Sequence, residues 1–122
     1  MKKNYLILCC IIISSITVIG QNVKFKNMTP QKRAKIFTEL MQTQLNLSTD
    51  QINKVAAINL NSANEMEILK SNNIGKLDKR KRAIKIQKER ETLFKFVLNN
   101  EQMDKYLKKK KEMLHQLKEQ KP

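Results

Sequence analysis

Leu47-Ser48-Thr49-Asp50-Gln51 and Leu98-Asn99-Asn100-Glu101-Gln102 are two copies of one pattern, 51 residues apart. Their reading decides how the chain divides into helices. Ser48 and Asn99 are good N-caps, because each side-chain oxygen can accept from an orphan backbone N–H of the first turn. Gln51 and Gln102 fall at the third helical position, where the amide can reach back to the cap N–H and complete a capping box. Leu47 with Ile52, and Leu98 with Met103, have the spacing of a hydrophobic staple. Asp50 and Glu101 suit the positive end of the helix that each copy starts. The likeness runs on through Ile52-Asn53-Lys54-Val55 and Met103-Asp104-Lys105-Tyr106.

Upstream, Met1-Lys2-Lys3-Asn4 is a short basic start, followed by the mostly apolar run from Tyr5 to Ile19. Val18 and Gly20 are small enough for the −3 and −1 positions of a signal-peptidase site, so residues 1–20 read as a cleaved export signal. The run is short for a membrane span, which needs about 20 apolar residues. Cys9 and Cys10 both lie in this leader; neither follows a Gly, Ala or Ser, and an uncleaved anchor and a lipoprotein are the lesser alternatives to cleavage after Gly20. The mature chain is then free of thiols and disulfides, and must hold together by helix packing or self-association. Residues 21–27 are expected to be a short disordered N-terminus, and residues 28–118 one domain.

The full chain has 122 residues and a formal net charge of +14, with two Gly, two Pro and no Trp. Loss of Lys2 and Lys3 with the leader leaves a strong positive excess. Leu, Ile, Lys, Gln, Glu and Met dominate, so helix propensity is high throughout. No alternating stretch is long enough for a strand, and the fold class is all-α. A first helix runs from Pro30, preceded by the cap Thr29, to about Leu45, with Ile36, Phe37, Leu40, Met41 and Gln44 on one face. A second starts after Ser48 and reaches about Lys70. Its stripe is Ile52, Val55, Ala56, Ala63 and Met66, with Asn59 as a polar interruption. Ser71-Asn72-Asn73-Ile74-Gly75 is the one clear break. A third helix spans about Leu77 to Val97, and a fourth runs from after Asn99 to near Lys118. Its stripe is Met103, Tyr106, Leu107, Met113, Leu114 and Leu117. The first and last junctions are short, sharp corners set by the capping motifs, and the central turn permits an antiparallel hairpin. The chain reads as two helix-corner-helix halves. A thin layer of long helices leaves apolar stripes uncovered, and a homodimer would complete their burial.

Little here could build an active site. His115 is the sole histidine, too few partners surround it in sequence for a metal site, and it reads as a surface residue. Glu65 and Glu67 lie on different faces of their helix and read as solvated charges. Asp78, Glu91, Glu101 and Asp104 each have Lys or Arg four residues later, which is ordinary helix support. With no phosphate loop and no nucleophile motif, neither an enzyme nor a cofactor or metal is expected. The basic runs carry more information. Lys79, Arg80, Lys81 and Arg82 lie in a stretch rich in lysine and arginine, and Lys105 with Lys108 to Lys111 extends the charge. Such a surface is either a solvated face or a site for anionic partners. Export disfavours nucleic acid and favours anionic lipid, lipopolysaccharide or acidic stretches of unfolded protein. Ile58 and Ile68 point off the main stripe of their helix, and Ile86, Phe96 and Val97 broaden the apolar surface of the next. They either complete a dimer interior or form an exposed patch among lysines that marks a binding surface.

Taken together, the two Leu-x-x-x-Gln copies, Met28-Thr29-Pro30-Gln31 and Glu101-Gln102-Met103-Asp104-Lys105-Tyr106 resemble the Spy/CpxP family of periplasmic chaperones and stress-response proteins, over about residues 28–115. The family motif has Thr where this chain has Ser48 and Asn99; both still cap. The resemblance implies a long bent helical hairpin, an antiparallel cradle-like homodimer, and ATP-independent binding of unfolded or partly folded proteins in the envelope of a Gram-negative cell. Ile58, Ile68, Lys79, Arg80, Lys81, Arg82, Ile86 and Phe96 are the candidate client contacts. An adaptor of an envelope stress sensor and an anionic-lipid binder are the alternatives. The His-rich segments through which some relatives sense metals are missing from this chain.

Overall fold

The computed structural model describes residues 27–120. The expected leader, with Cys9 and Cys10, and nearly all of the expected N-terminal tail lie outside the described residues. Four α-helices and no strand are present among the described residues: α1 (Pro30–Leu45), α2 (Thr49–Ser71), α3 (Lys76–Val97) and α4 (Asn100–Glu119). The expected boundaries differ from these by about a residue, because each start carries a local signal. The Thr29 hydroxyl accepts from the Lys32 N–H, and Pro30 occupies the first turn of α1, where a missing N–H costs nothing. Ser48 and Asn99 head complete capping boxes at α2 and α4. Only α3 starts without a side-chain cap, from Gly75.

The helices run alternately up and down. Arg33 near the start of α1 reaches Glu67 near the end of α2 at 2.7 Å. Lys79 in the first turn of α3 donates to the Lys70 carbonyl at 3.1 Å. Lys109 of α4 donates to Gln44 of α1 at 2.9 Å. α1 packs along α2 and also against α4, and α2 packs along α3, whereas α3 and α4 meet sparsely. The arrangement is therefore a four-helix layer pair left partly open along one seam.

The interior is built from Phe37, Met41 and Leu45 of α1, Val55 of α2, Phe94 of α3 and Met103, Tyr106, Met113 and Leu117 of α4, with Leu47 and Leu98 sealing the corners. Burying an aromatic such as Phe94 contributes about 1.5–3 kcal/mol. Phe94 and Tyr106 meet edge to face, 5.1 Å between ring centroids, the favourable geometry for two quadrupoles. The stripe of α2 is wider than the sequence pattern indicates. Val55, Asn59, Ser62 and Leu69 are buried, while Ile52, Ala56, Ala63 and Met66 are half-buried. A helix gripped by neighbours on two sides buries a broad arc. Asn59 is no interruption: it is 3 % exposed. Its amide donates to the Thr38 hydroxyl at 3.0 Å, and that hydroxyl donates to the Ala34 carbonyl at 2.8 Å. The small side chains Ser62 and Thr38 let α1 and α2 approach around this pair.

Candidate functional site

The two sequence motifs meet in space. The Gln51 Nε2 donates to Gln102 Oε1 at 2.7 Å and to the Val97 carbonyl at 3.1 Å. The Gln102 Nε2 donates back to Gln51 Oε1 at 3.1 Å and to the Leu45 carbonyl at 3.3 Å. Each amide oxygen also accepts from its own cap N–H, Ser48 at 3.0 Å and Asn99 at 3.1 Å. A glutamine amide has two donors and two acceptor lone pairs, and here all of them are used on both residues. Leu45 and Val97 end α1 and α3, so the bonds also reach carbonyls that no later turn of helix would satisfy. One clasp thus joins the starts of α2 and α4 to the ends of α1 and α3. Sequence reading assigned Gln51 and Gln102 to two separate corners; the signal that could have joined them is the repeat itself, which places matching amides at matching positions.

The eight candidate contact residues do not form one patch. Ile68, Arg82 and Ile86 share a shallow groove of about 520 Å³ between α2 and α3, with Leu69, Glu65 and Glu89 beside them. Arg80 and Lys81 are exposed earlier on α3. Phe96 stands alone at the other end of α3, 84 % exposed. Ile58 belongs with the interior, packed against the main apolar cluster, because α2 buries that wide arc. Lys79 is half-buried and tied to the α2 carboxyl end, where a cation meets the negative end of a helix.

On the open seam lies a second, apolar cleft of about 360 Å³, reached by all four helices. Phe37, Met66, Ile86, Leu114 and Leu117 line it, with Arg33, Lys70 and Arg90 as its cations and Glu67 as its one carboxylate. Arg90 lies over Phe37, its guanidinium carbon 5.1 Å from the ring centroid, and 6.0 Å from that of Phe94. Such cation–π contacts hold a guanidinium against apolar surface. The Asn59 Oδ1 is buried without a hydrogen-bond partner, and the buried Arg90 Nε and Tyr106 hydroxyl belong to side chains that interact with each other. Sequence reading singled out none of these as a site; a cation at the spacing of the α3 apolar stripe, Ile86-Arg90-Phe94, is the signal that marks Arg90.

Electrostatics follow the same geometry. The hydrogen bond from Arg33 holds the Glu67 carboxyl below its ordinary value, so Glu67 is a solvated charge, 44 % exposed, that is also paired. Burial pushes the Tyr106 phenol up, with Arg90 pulling the other way. Glu91, read in sequence as a partner for Lys95, pairs instead with Lys110 across the α3/α4 seam at 2.8 Å. Asp104 does pair with Lys108 at 2.9 Å. His115 is exposed and lies 3.2 Å from Glu119. No three His, Cys, Asp or Glu side chains converge as metal ligands among the described residues, and no helix among them is long and apolar enough to cross a membrane.

No curated protein and no solved structure matches this chain. One family model does, the domain of unknown function DUF4890, over residues 20–121. The match takes in all four described helices and both capping motifs, and the chain belongs to the DUF4890 family.

Proposed function

We propose that the protein is an exported, ATP-independent chaperone-like binder of unfolded or partly folded envelope proteins, and not an enzyme. The observation that supports it is exposed apolar surface on α2 and α3, Ile68 at 62 % and, at the far end of α3, Phe96 at 84 %, with the exposed cations Arg80, Lys81 and Arg82 also on α3. Lysine and arginine attract acidic or partly unfolded chains over a distance, and exposed apolar side chains then hold them weakly. The resemblance to the Spy/CpxP family, an antiparallel homodimer that joins two such faces into a cradle, and a periplasmic location belong to the same proposal. Attraction by charge should fade with salt, since screening shortens to about 8 Å at 0.15 M.

Light scattering from an aggregating client tests the reading. Suppression at low salt, weakened by Phe96→Ser together with Ile68→Ser, is expected. Undiminished aggregation at a molar excess of this protein would overturn it.

A further inference from the structure

Met28 is 4 % exposed, and its carbonyl accepts from Arg33 Nη1 at 2.6 Å. The same guanidinium holds Glu67 through Nη2 at 2.7 Å, and both Arg33 and Glu67 line the four-helix cleft. The chain therefore enters the helical layer beside one end of that cleft. Just upstream, outside the described residues, the sequence reads Gln21-Asn22-Val23-Lys24-Phe25-Lys26. Apolar and cationic side chains alternate from Val23 to Lys26. In an extended chain that period of two puts Val23 and Phe25 on one side and Lys24 and Lys26 on the other. Phe25 stands three residues before Met28, a reach of about 10 Å at full extension.

The cleft suits such a segment. Its walls include Phe37, Ala63, Met66, Leu114 and Leu117, and apolar walls open to water are unfavourable. Arg33 and Glu67 at its edge already pair with each other, so an occupant needs apolar side chains rather than a charge. The family match begins at residue 20, so the shared domain takes in this segment together with the helices. We propose that residues 21–26 run along the mouth of the cleft and seat Val23 and Phe25 inside it, with Lys24 and Lys26 toward water. An occupant tethered this closely has a high effective concentration compared with any free ligand or second copy. The inference concerns the inner cleft and stands apart from the outer surface proposed for clients.

The test uses the full chain with Cys9→Ser and Cys10→Ser, which leaves no other thiol. Phe25→Cys is combined either with Met66→Cys in the cleft or with Asn64→Cys on the exposed side of α2. A disulfide forms only where the two Cα atoms come within about 7 Å. On mild oxidation the Phe25/Met66 pair should close within one chain, read as a shift in gel mobility without reductant, and the Phe25/Asn64 pair should not. A second readout needs no cysteine. Val23→Ser with Phe25→Ser should raise the affinity for the apolar dye nile red about tenfold, because burial of one such side chain accounts for that factor in competition with the dye. Equal closure of both pairs, a disulfide-linked dimer in place of the bond within one chain, or unchanged dye affinity in the double serine variant would each overturn the proposal.

Discussion

The two corners of this chain carry the same capping box and turn through different geometries. Between α1 and α2 stand three residues, Asn46, Leu47 and Ser48; between α3 and α4 stand two, Leu98 and Asn99. Aligned by the motif, Asn46 corresponds to Val97. Asn46 adopts the left-handed conformation, φ 52 and ψ 56, which asparagine tolerates far better than a β-branched residue does. Val97 remains helical, and Leu98 leaves α3 in extended conformation. The first corner folds α1 back along α2. The second lets α3 and α4 diverge, so their contact is sparse, held by the Phe94–Tyr106 edge contact, the neighbouring Arg90 and the Glu91–Lys110 ion pair. A capping box starts a helix; the residue before it decides where the previous helix points. The open seam beyond the second corner is where the apolar cleft lies.

The sharpest way to break this contrast is at Phe94, on which the sparse corner depends. Phe94→Ala removes a fully buried ring and should cost about 3–5 kcal/mol in denaturant unfolding. Dispersed packing between α1 and α2 makes Val55→Ala, which deletes less volume, the milder change. A Val55→Ala protein less stable than Phe94→Ala would show that the second corner is held elsewhere.

The clasp comes next, because it ties the unlike corners together. Gln51→Ala or Gln102→Ala strips a cap interaction and leaves half-buried amide and carbonyl groups unpaired. Each should lower stability by about 1–3 kcal/mol. The double variant should lose less than the sum, with a coupling of about 0.5–3 kcal/mol, as for residues in direct contact. Additive losses in thermal melts would mean that the two amides do not hold each other.

The smallest effect is at the residue that separates the corners. Asn46→Val gives the first corner the residue of the second and should cost about 1–2 kcal/mol by placing a branched side chain in left-handed conformation. Asn46→Gly should melt within a few degrees of the parent, since glycine adopts that conformation without steric cost. Equal melting of the Val and Gly variants would remove the left-handed turn as the cause of the contrast.

Much of the candidate binding surface was hard to read in sequence for a specific reason. Ile58 and Ile68 look equivalent as off-stripe residues on one helix, yet one packs inward and the other stands exposed. The difference comes from which neighbours flank α2, and helical spacing does not name neighbours. Glu91 met the same limit: its partner four residues on was available, but Lys110 of another helix holds it. Arg90 was one cation among many until packing placed its guanidinium over Phe37.

By itself the sequence determined the helices. Caps, Pro30, the Ser71–Gly75 break and apolar spacing act within one or two turns, so their effects are local and can be read from neighbouring residues. Tertiary structure alone decided the rest: the Gln51–Gln102 clasp, the polar Asn59–Thr38 pair inside the α1/α2 seam, and the cleft left where α3 and α4 part. Each depends on residues from about 20 to about 80 positions apart being brought together. The angle between helices sets those meetings, and that angle follows from packing the whole layer at once.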